Sequence, residues 1–244
     1  KRYAFTKRDI ADNYFAKIVT VLKAFLNWAG DRNYNSNLTY KKFSAKEKEK
    51  EVIFLTMDEL MLLFRHKFDK KTLDKARDIY CFGCFTGLRV SDILQLQYEH
   101  INGDYILKRV QKTKENERIP INKFARAILD KHKDKYYKPL PTISPQKLNQ
   151  YIKKCCQTVG IEQNVSIRIY KGNKVIHKDI PKYKLITSHT ARKTFVTNSI
   201  MLGMNIKALK EITGHKKDST FNRYIKIAED FKKSEMDNTW DKVS

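Results

Sequence analysis

Phe15, Ile18, Val19, Leu22, Phe25, Leu26 and Ala29 recur at steps of three and four residues, with Gly30 directly behind them. That period gathers them on one face of a helix, and the glycine supplies its stop. Residues 31–51 lose the pattern and turn polar, ending in the charge run Lys46-Glu47-Lys48-Glu49-Lys50-Glu51, which reads as linker. Order resumes at Thr56-Met57-Asp58-Glu59 ahead of Leu60, Leu63 and Phe64, a capping-box helix start. Helices are predicted next over 72–85 and 88–97. Asn102-Gly103 marks a turn. Tyr105-Ile106-Leu107 and Arg118-Ile119-Pro120-Ile121 flank a polar tip, which predicts a small antiparallel β unit. Two helices follow over 123–135 and 145–159, the second with Leu148, Ile152, Cys155 and Val159 on one face and Gly160 after it. Residues 165–180 alternate as a second hairpin around Gly172-Asn173. Helices over 189–202 and 206–213, stopped by Gly203 and Gly214, and over 219–233 complete a chain that is mainly α with small β hairpins.

Composition adds a charge argument. Among 244 residues, 50 Lys plus Arg face 27 Asp plus Glu, a net charge of +23. Such an excess favours a polyanionic partner, because neutralising phosphates releases condensed counterions; a generally basic surface is the plainer reading. No apolar run is long enough to span a bilayer and no signal-peptide pattern opens the chain, so no membrane partner is expected. Cys81 and Cys84 have the C-x-x-C spacing of a zinc half-site or redox pair, yet no second pair accompanies them and the flanking residues are apolar. Burial as small hydrophobes is expected, and with Cys155 and Cys156 nothing demands disulfides, so a cytoplasmic location is expected.

Each candidate polar residue has an ordinary explanation when taken alone. Arg89, after Thr86-Gly87-Leu88, stands at a helix start where the dipole prefers anions, so it is either an anion-binding group or a surface cation. His189 and Arg192, three residues apart, share one helical face and can converge on one target, or serve as a cap and a solvated cation. The helix start after Ser188 also offers free backbone N–H groups to an anion. His215 follows Gly214, and Tyr224 lies nine residues on; among 13 tyrosines, a lone one is ordinarily core or surface.

The ordered set changes that reading. Thr86-Gly87-Leu88-Arg89, Lys112 near a hairpin tip, His189-Thr190-Ala191-Arg192-Lys193-Thr194-Phe195, Gly214-His215 and Tyr224 together resemble the tyrosine recombinase (phage integrase) family over roughly 53–231. The 165–180 hairpin resembles insertions in integrases of conjugative or mobilisable elements. The resemblance implies a helical core-binding fragment at 1–40, a linker at 41–52, a catalytic domain of the DNA breaking-rejoining fold at 53–231, and a tail at 232–244 whose Trp240 docks on a neighbouring copy or simply frays. The segment 1–40 is expected to be the end of a longer N-terminal domain. The implied activity is site-specific cleavage and rejoining of DNA for integration or excision of a mobile element.

In that family Arg89, Lys112, His189, Arg192, His215 and Tyr224 would form one active site, with Lys114 as the alternative to Lys112. Asp92 would buttress it, or merely complement the helix dipole. Both arginines can grip phosphate oxygens through two N–H groups each. The histidines would donate further hydrogen bonds, and His189 would help take the tyrosine proton. Lys112 would protonate the departing 5′ oxygen. Nearby cations are expected to lower the phenol pKa from about 10. The phosphotyrosyl bond then keeps the ester available for resealing. No metal or other cofactor is expected. Implied partners are double-stranded DNA, further copies in a homotetramer on DNA, and accessory DNA-bending proteins. A type IB topoisomerase and a non-catalytic DNA-binding regulator are the rival readings. The hairpin's Arg168, Lys171, Lys174, His177 and Lys178 would touch DNA backbone or stay solvated.

Overall fold

The computed structural model describes residues 2–109, 116–172, 174–215 and 218–239. In chain order the first elements are α1 (Arg2–Thr6), α2 (Asp12–Asp31), α3 (Met57–Arg65), α4 (Lys71–Thr86) and α5 (Val90–Leu94). A small sheet of β1 (Ile101–Asn102), β2 (Tyr105–Arg109) and β3 (Asn116–Pro120) follows, then α6 (Lys123–His132) and α7 (Pro145–Thr158). The remainder is β4 (Asn164–Lys171), β5 (Lys174–Pro181), α8 (Lys182–Leu185), α9 (Ser188–Met201), α10 (Ile206–Thr213) and α11 (Asp218–Thr239). Among the described residues no helix is long and apolar enough to cross a membrane. The chain forms two compact units, one of residues 1–51 and 164–180, the other of 52–163 and 181–244.

In the first unit, β4 and β5 form a two-stranded sheet. Asp12 at the start of α2 accepts the Gly172 N–H at 2.7 Å, Lys171 pairs with Asp9, and Arg168 donates to Glu51 at 2.7 Å. Two of the hairpin's basic groups therefore already have acidic partners within the unit. The predicted α2 stripe splits: Val19 and Ala29 are buried, while Leu22 and Phe25 are more than half exposed. So small a unit has few side chains with which to cover a whole helix face.

The second unit is a helical core with one three-stranded sheet. Thr56 and Glu59 exchange both capping bonds at the head of α3, as expected, and Glu59 also receives Lys182 Nζ at 2.6 Å. The central helix, α4, is buried from Ala76 to Thr86. Its Gly83 lets α9 approach, since a Cβ there would lie 3.1 Å from that of Ala191. All four cysteines are buried free thiols, and burial pushes Cys155 up to about 12, as suits packing rather than redox work. Strands β1, β2 and β3 are antiparallel in that order, with Ile106 opposite Ile119 and both buried. Helix α6 stops at His132, short of the expected 135, because Asp134 takes a left-handed φ of 60°. Likewise α5 ends at Leu94 rather than near 97: the Gln97 N–H turns to His100 Nδ1, 3.0 Å away.

A buried ionic cluster sits on α4. Asp78 accepts from Arg77 Nε at 2.6 Å, lies 2.8 Å from His132 Nε2, and pairs with Lys131 at 2.6 Å. Burial raises the Asp78 pKa, but His132, Lys131 and Arg77 outweigh it and hold the carboxyl below its ordinary value. A lowered carboxyl pKa stabilises the fold above the unfolded value of about 3.9 and loses that contribution as pH falls through the folded value. Asp78→Asn removes the carboxylate beside buried Arg77, which keeps Asp74 as an acidic partner, so we expect it to cost about 1–3 kcal/mol at pH 7. Thermal melts between pH 7 and pH 2 check this; a wild-type midpoint at neutral pH would refute it.

Candidate active site

The turn after α4 is set by Gly87, which holds φ at +69°. A Cβ at this position would come within 2.5 Å of the Phe195 ring, so both conformation and space require glycine. The turn buries Leu88 and leaves Arg89, the N-cap residue of α5, exposed. We predict that Gly87→Ala costs about 2–5 kcal/mol, combining left-handed strain with overlap on Phe195; an unchanged denaturation midpoint would contradict this.

Helix α9 is anchored by its polar face. Thr194 Oγ1 accepts the Leu55 N–H at 3.0 Å, Asn198 Nδ2 donates to Leu55 O at 3.0 Å, and Tyr80 shares a 2.9 Å bond with Thr190. These bonds fix the rotation of α9, which leaves His189 exposed and Arg192 buried. Arg192 Nη1 donates to Gly87 O at 2.9 Å and Nη2 donates to Thr213 O. One guanidinium thus joins the turn before Arg89 to the turn before His215. The free N–H groups expected after Ser188 are not all available: Ser188 N–H donates to Asn149 Oδ1 at 2.7 Å and Thr190 N–H to Thr187 O at 2.9 Å. A side chain distant in sequence and a neighbouring backbone carbonyl have taken up these two donors.

Gly214 ends α10 with φ +62°, and the next residue, His215, is held by its N–H to Lys210 O at 3.1 Å and its Nδ1 to Thr213 Oγ1 at 2.7 Å. The imidazole packs against two rings of α11, with centroids 5.6 Å from Phe221 and 6.2 Å from Tyr224. Phe221, Tyr224 and Ala228 are buried with Val196, Ile200 and Leu209 in a small second core. This packing holds the Tyr224 ring, which is 8% exposed, beside His215.

Electrostatics tie the group together. Burial pushes the His215 pKa down, helped by Arg192 and then Arg89, to about 4. His189, exposed as a residue but with its ring partly shielded from water, is lowered first by that shielding and then by Lys193, Arg192 and Arg89. Tyr224 reverses the expectation. Arg192 and Arg223 do pull its pKa down, but burial outweighs them and the phenol lies above its ordinary value. At neutral pH it is protonated and an attacking oxygen would need a base. Arg89, His189, Arg192, His215 and Tyr224 therefore share one locale, while Asp92 occupies the first turn of α5. Lys112, Lys114 and Trp240 lie outside the described residues. Sequence reading gave no role to Arg223, next to Tyr224, or to Thr213, next to Gly214-His215, and Phe195 stood in the quoted motif without its packing against Gly87 being foreseen.

The model of the phage integrase family matches residues 53–230. The chain is 27% identical to tyrosine recombinase XerD of Listeria monocytogenes over 144 residues, 58% of this chain and 46% of that protein, so it spans about half the length of that relative. It is 29% identical to the probable integrase/recombinase YoeC of Bacillus subtilis over 155 residues, 62% of this chain and 77% of that one. The fold is shared with a lambda integrase dimer bound to a COC′ core site, at TM-score 0.63 and 18% identity over 86% of this chain and 72% of that one. It is shared also with the Tn1549 transposon integrase in complex with circular intermediate DNA, at TM-score 0.62 and 17% identity over 90% and 76%. The family match takes in both turns, the anchored helix α9 and the ring cluster of α11, and the chain belongs to the phage integrase family.

Proposed function

We propose that this chain is a site-specific tyrosine recombinase that cleaves and rejoins double-stranded DNA through a 3′-phosphotyrosyl bond at Tyr224. The observation that supports this best is a buried phenol beside a half-buried imidazole, with Arg192 acting on both. Arg89 and Arg192 hold the non-bridging phosphate oxygens, where negative charge develops in the transition state. Exposed Arg89 is open to a DNA backbone, and buried Arg192 is preset by its two carbonyl partners. His189 adds a hydrogen-bond donor to the phosphate, and Lys112 protonates the leaving 5′ oxygen. The +23 charge suits a duplex partner. Assembly is a homotetramer on DNA, with accessory DNA-bending proteins where the site requires them. The reaction integrates or excises a mobile element. Residues 1–40 belong to the DNA-gripping domain and 232–244 to the contact with a neighbouring copy.

A nicked suicide substrate tests the reading, because the strand segment lost after cleavage traps the enzyme. We expect a covalent protein–DNA band on a denaturing gel, formed without added metal. No such band, with the protein demonstrably bound to DNA, would favour a non-catalytic binding module.

A further inference from the structure

We propose that Asn122 is a positioning residue that holds the turn carrying Arg89, through a hydrogen bond to the last turn of α4. The inference rests on the reading of Arg89 as a phosphate-binding group of the recombinase and names what sets its place. Asn122 is the N-cap of α6, where its Oδ1 accepts the Phe124 N–H at 3.1 Å and the Ala125 N–H at 3.0 Å. Its Nδ2 donates to Phe85 O at 2.7 Å, across 37 residues of sequence. An amide oxygen can only accept and an amide nitrogen can only donate. Two backbone N–H groups and one carbonyl therefore fix which way the side chain is turned. That one amide starts α6 and satisfies a carbonyl that the end of α4 leaves open.

The bond matters because of where Phe85 stands. Only Thr86, Gly87 and Leu88 separate it from Arg89. From the other side, Arg192 Nη1 donates to Gly87 O at 2.9 Å. Carbonyls two residues apart are thus held by side chains from the head of α6 and from α9. Inside the turn, Thr86 Oγ1 donates to Phe82 O at 2.7 Å and Gly87 N–H to Gly83 O at 3.0 Å. The Phe85 and Phe124 rings stack at 4.9 Å beside the bond, which keeps the two helix ends together. Arg89 is exposed at the exit of the turn, so the backbone that presents it sets where its guanidinium reaches. A shift of about 1 Å in such a group costs up to about 10²-fold in rate. Asn122 is itself exposed, so its bond to Phe85 O competes with water, and losing it should cost cleavage rather than the fold.

Asn122→Asp and Asn122→Ser separate the two tasks. Both residues cap a helix start as asparagine does. The carboxylate has no proton at neutral pH to give Phe85 O, and the serine side chain, one bond shorter, does not reach it. Single-turnover cleavage of the nicked duplex is measured for each, in the wild-type and in an Arg89→Ala background. We expect each variant to lose on the order of 10-fold alone and less than about 2-fold beside Arg89→Ala, with melting temperatures close to wild type. Equal fold-losses in both backgrounds, or no loss in either, would overturn the proposal. Loss of the fold in both variants would overturn it as well, by making Asn122 structural. Proton–nitrogen NMR gives a reading free of catalysis: the backbone amide signals of Leu88 and Arg89 should move in both variants, and unmoved signals would contradict the tie. A wild-type chain that binds the nicked duplex and forms no covalent band would instead remove the recombinase reading, and the amide signals would still decide whether Asn122 holds the turn.

Discussion

Tyr224→Phe is expected to abolish covalent joining to DNA, a loss of at least about 10³-fold in cleavage, while duplex affinity stays within a few-fold of wild type. The change removes one oxygen and keeps the ring. That ring packs against His215 and Phe221 at centroid distances of 6.2 Å, so the small second core keeps its shape. Burial already holds the phenol protonated, so no charge is lost from the resting protein. Stability should therefore change by no more than about 1 kcal/mol. Gel-based cleavage, a binding isotherm and a thermal melt separate the three quantities. Lost binding or a collapsed melting temperature would make Tyr224 a structural residue and remove it from the chemistry.

Arg192→Lys should be nearly as damaging to cleavage, with a loss of about 10²–10³-fold, despite its unchanged charge. Arg192 is buried, and its two terminal nitrogens reach carbonyls in two different turns, Gly87 O and Thr213 O. An ammonium at the end of a shorter, flexible stem cannot span both, so at least one buried carbonyl loses its donor. We expect a stability loss of about 1–3 kcal/mol alongside the activity loss. Arg89→Lys provides the contrast. Arg89 is exposed, so its melting temperature should be unchanged while cleavage still falls through loss of the paired N–H grip. Equal melting temperatures for the two variants would contradict the bridging role given to Arg192.

The sequence revealed elements whose causes are local. The capping box at Thr56-Glu59, the glycine stop at Gly214, and the hairpins are all written in short stretches of chain. The order of Arg89, His189, Arg192, His215 and Tyr224 was legible because a family pattern spans them, although no local periodicity links Arg89 to Tyr224. What stayed hidden depends on distant partners. Leu55 fixes the rotation of α9 across 139 and 143 residues of sequence, and Asn149 occupies an N–H group that looked free for an anion. The Arg77–Asp78–His132 cluster lies within α4 and α6, which read as ordinary packing helices. The direction of the Tyr224 pKa failed for a related reason: charges are visible in a sequence, whereas the burial that outweighs them is not. Helix α11 runs to Thr239 rather than 233, with no glycine or proline in Ser234-Glu235-Met236-Asp237-Asn238 to stop it.

The most direct test is peptide mass spectrometry on protein trapped by the nicked substrate and digested to leave a nucleotide remnant. The account predicts that the remnant's mass is carried by the peptide containing Tyr224, as a phosphodiester on its phenolic oxygen. A remnant on any other of the 13 tyrosines, or on a serine or histidine, would contradict it.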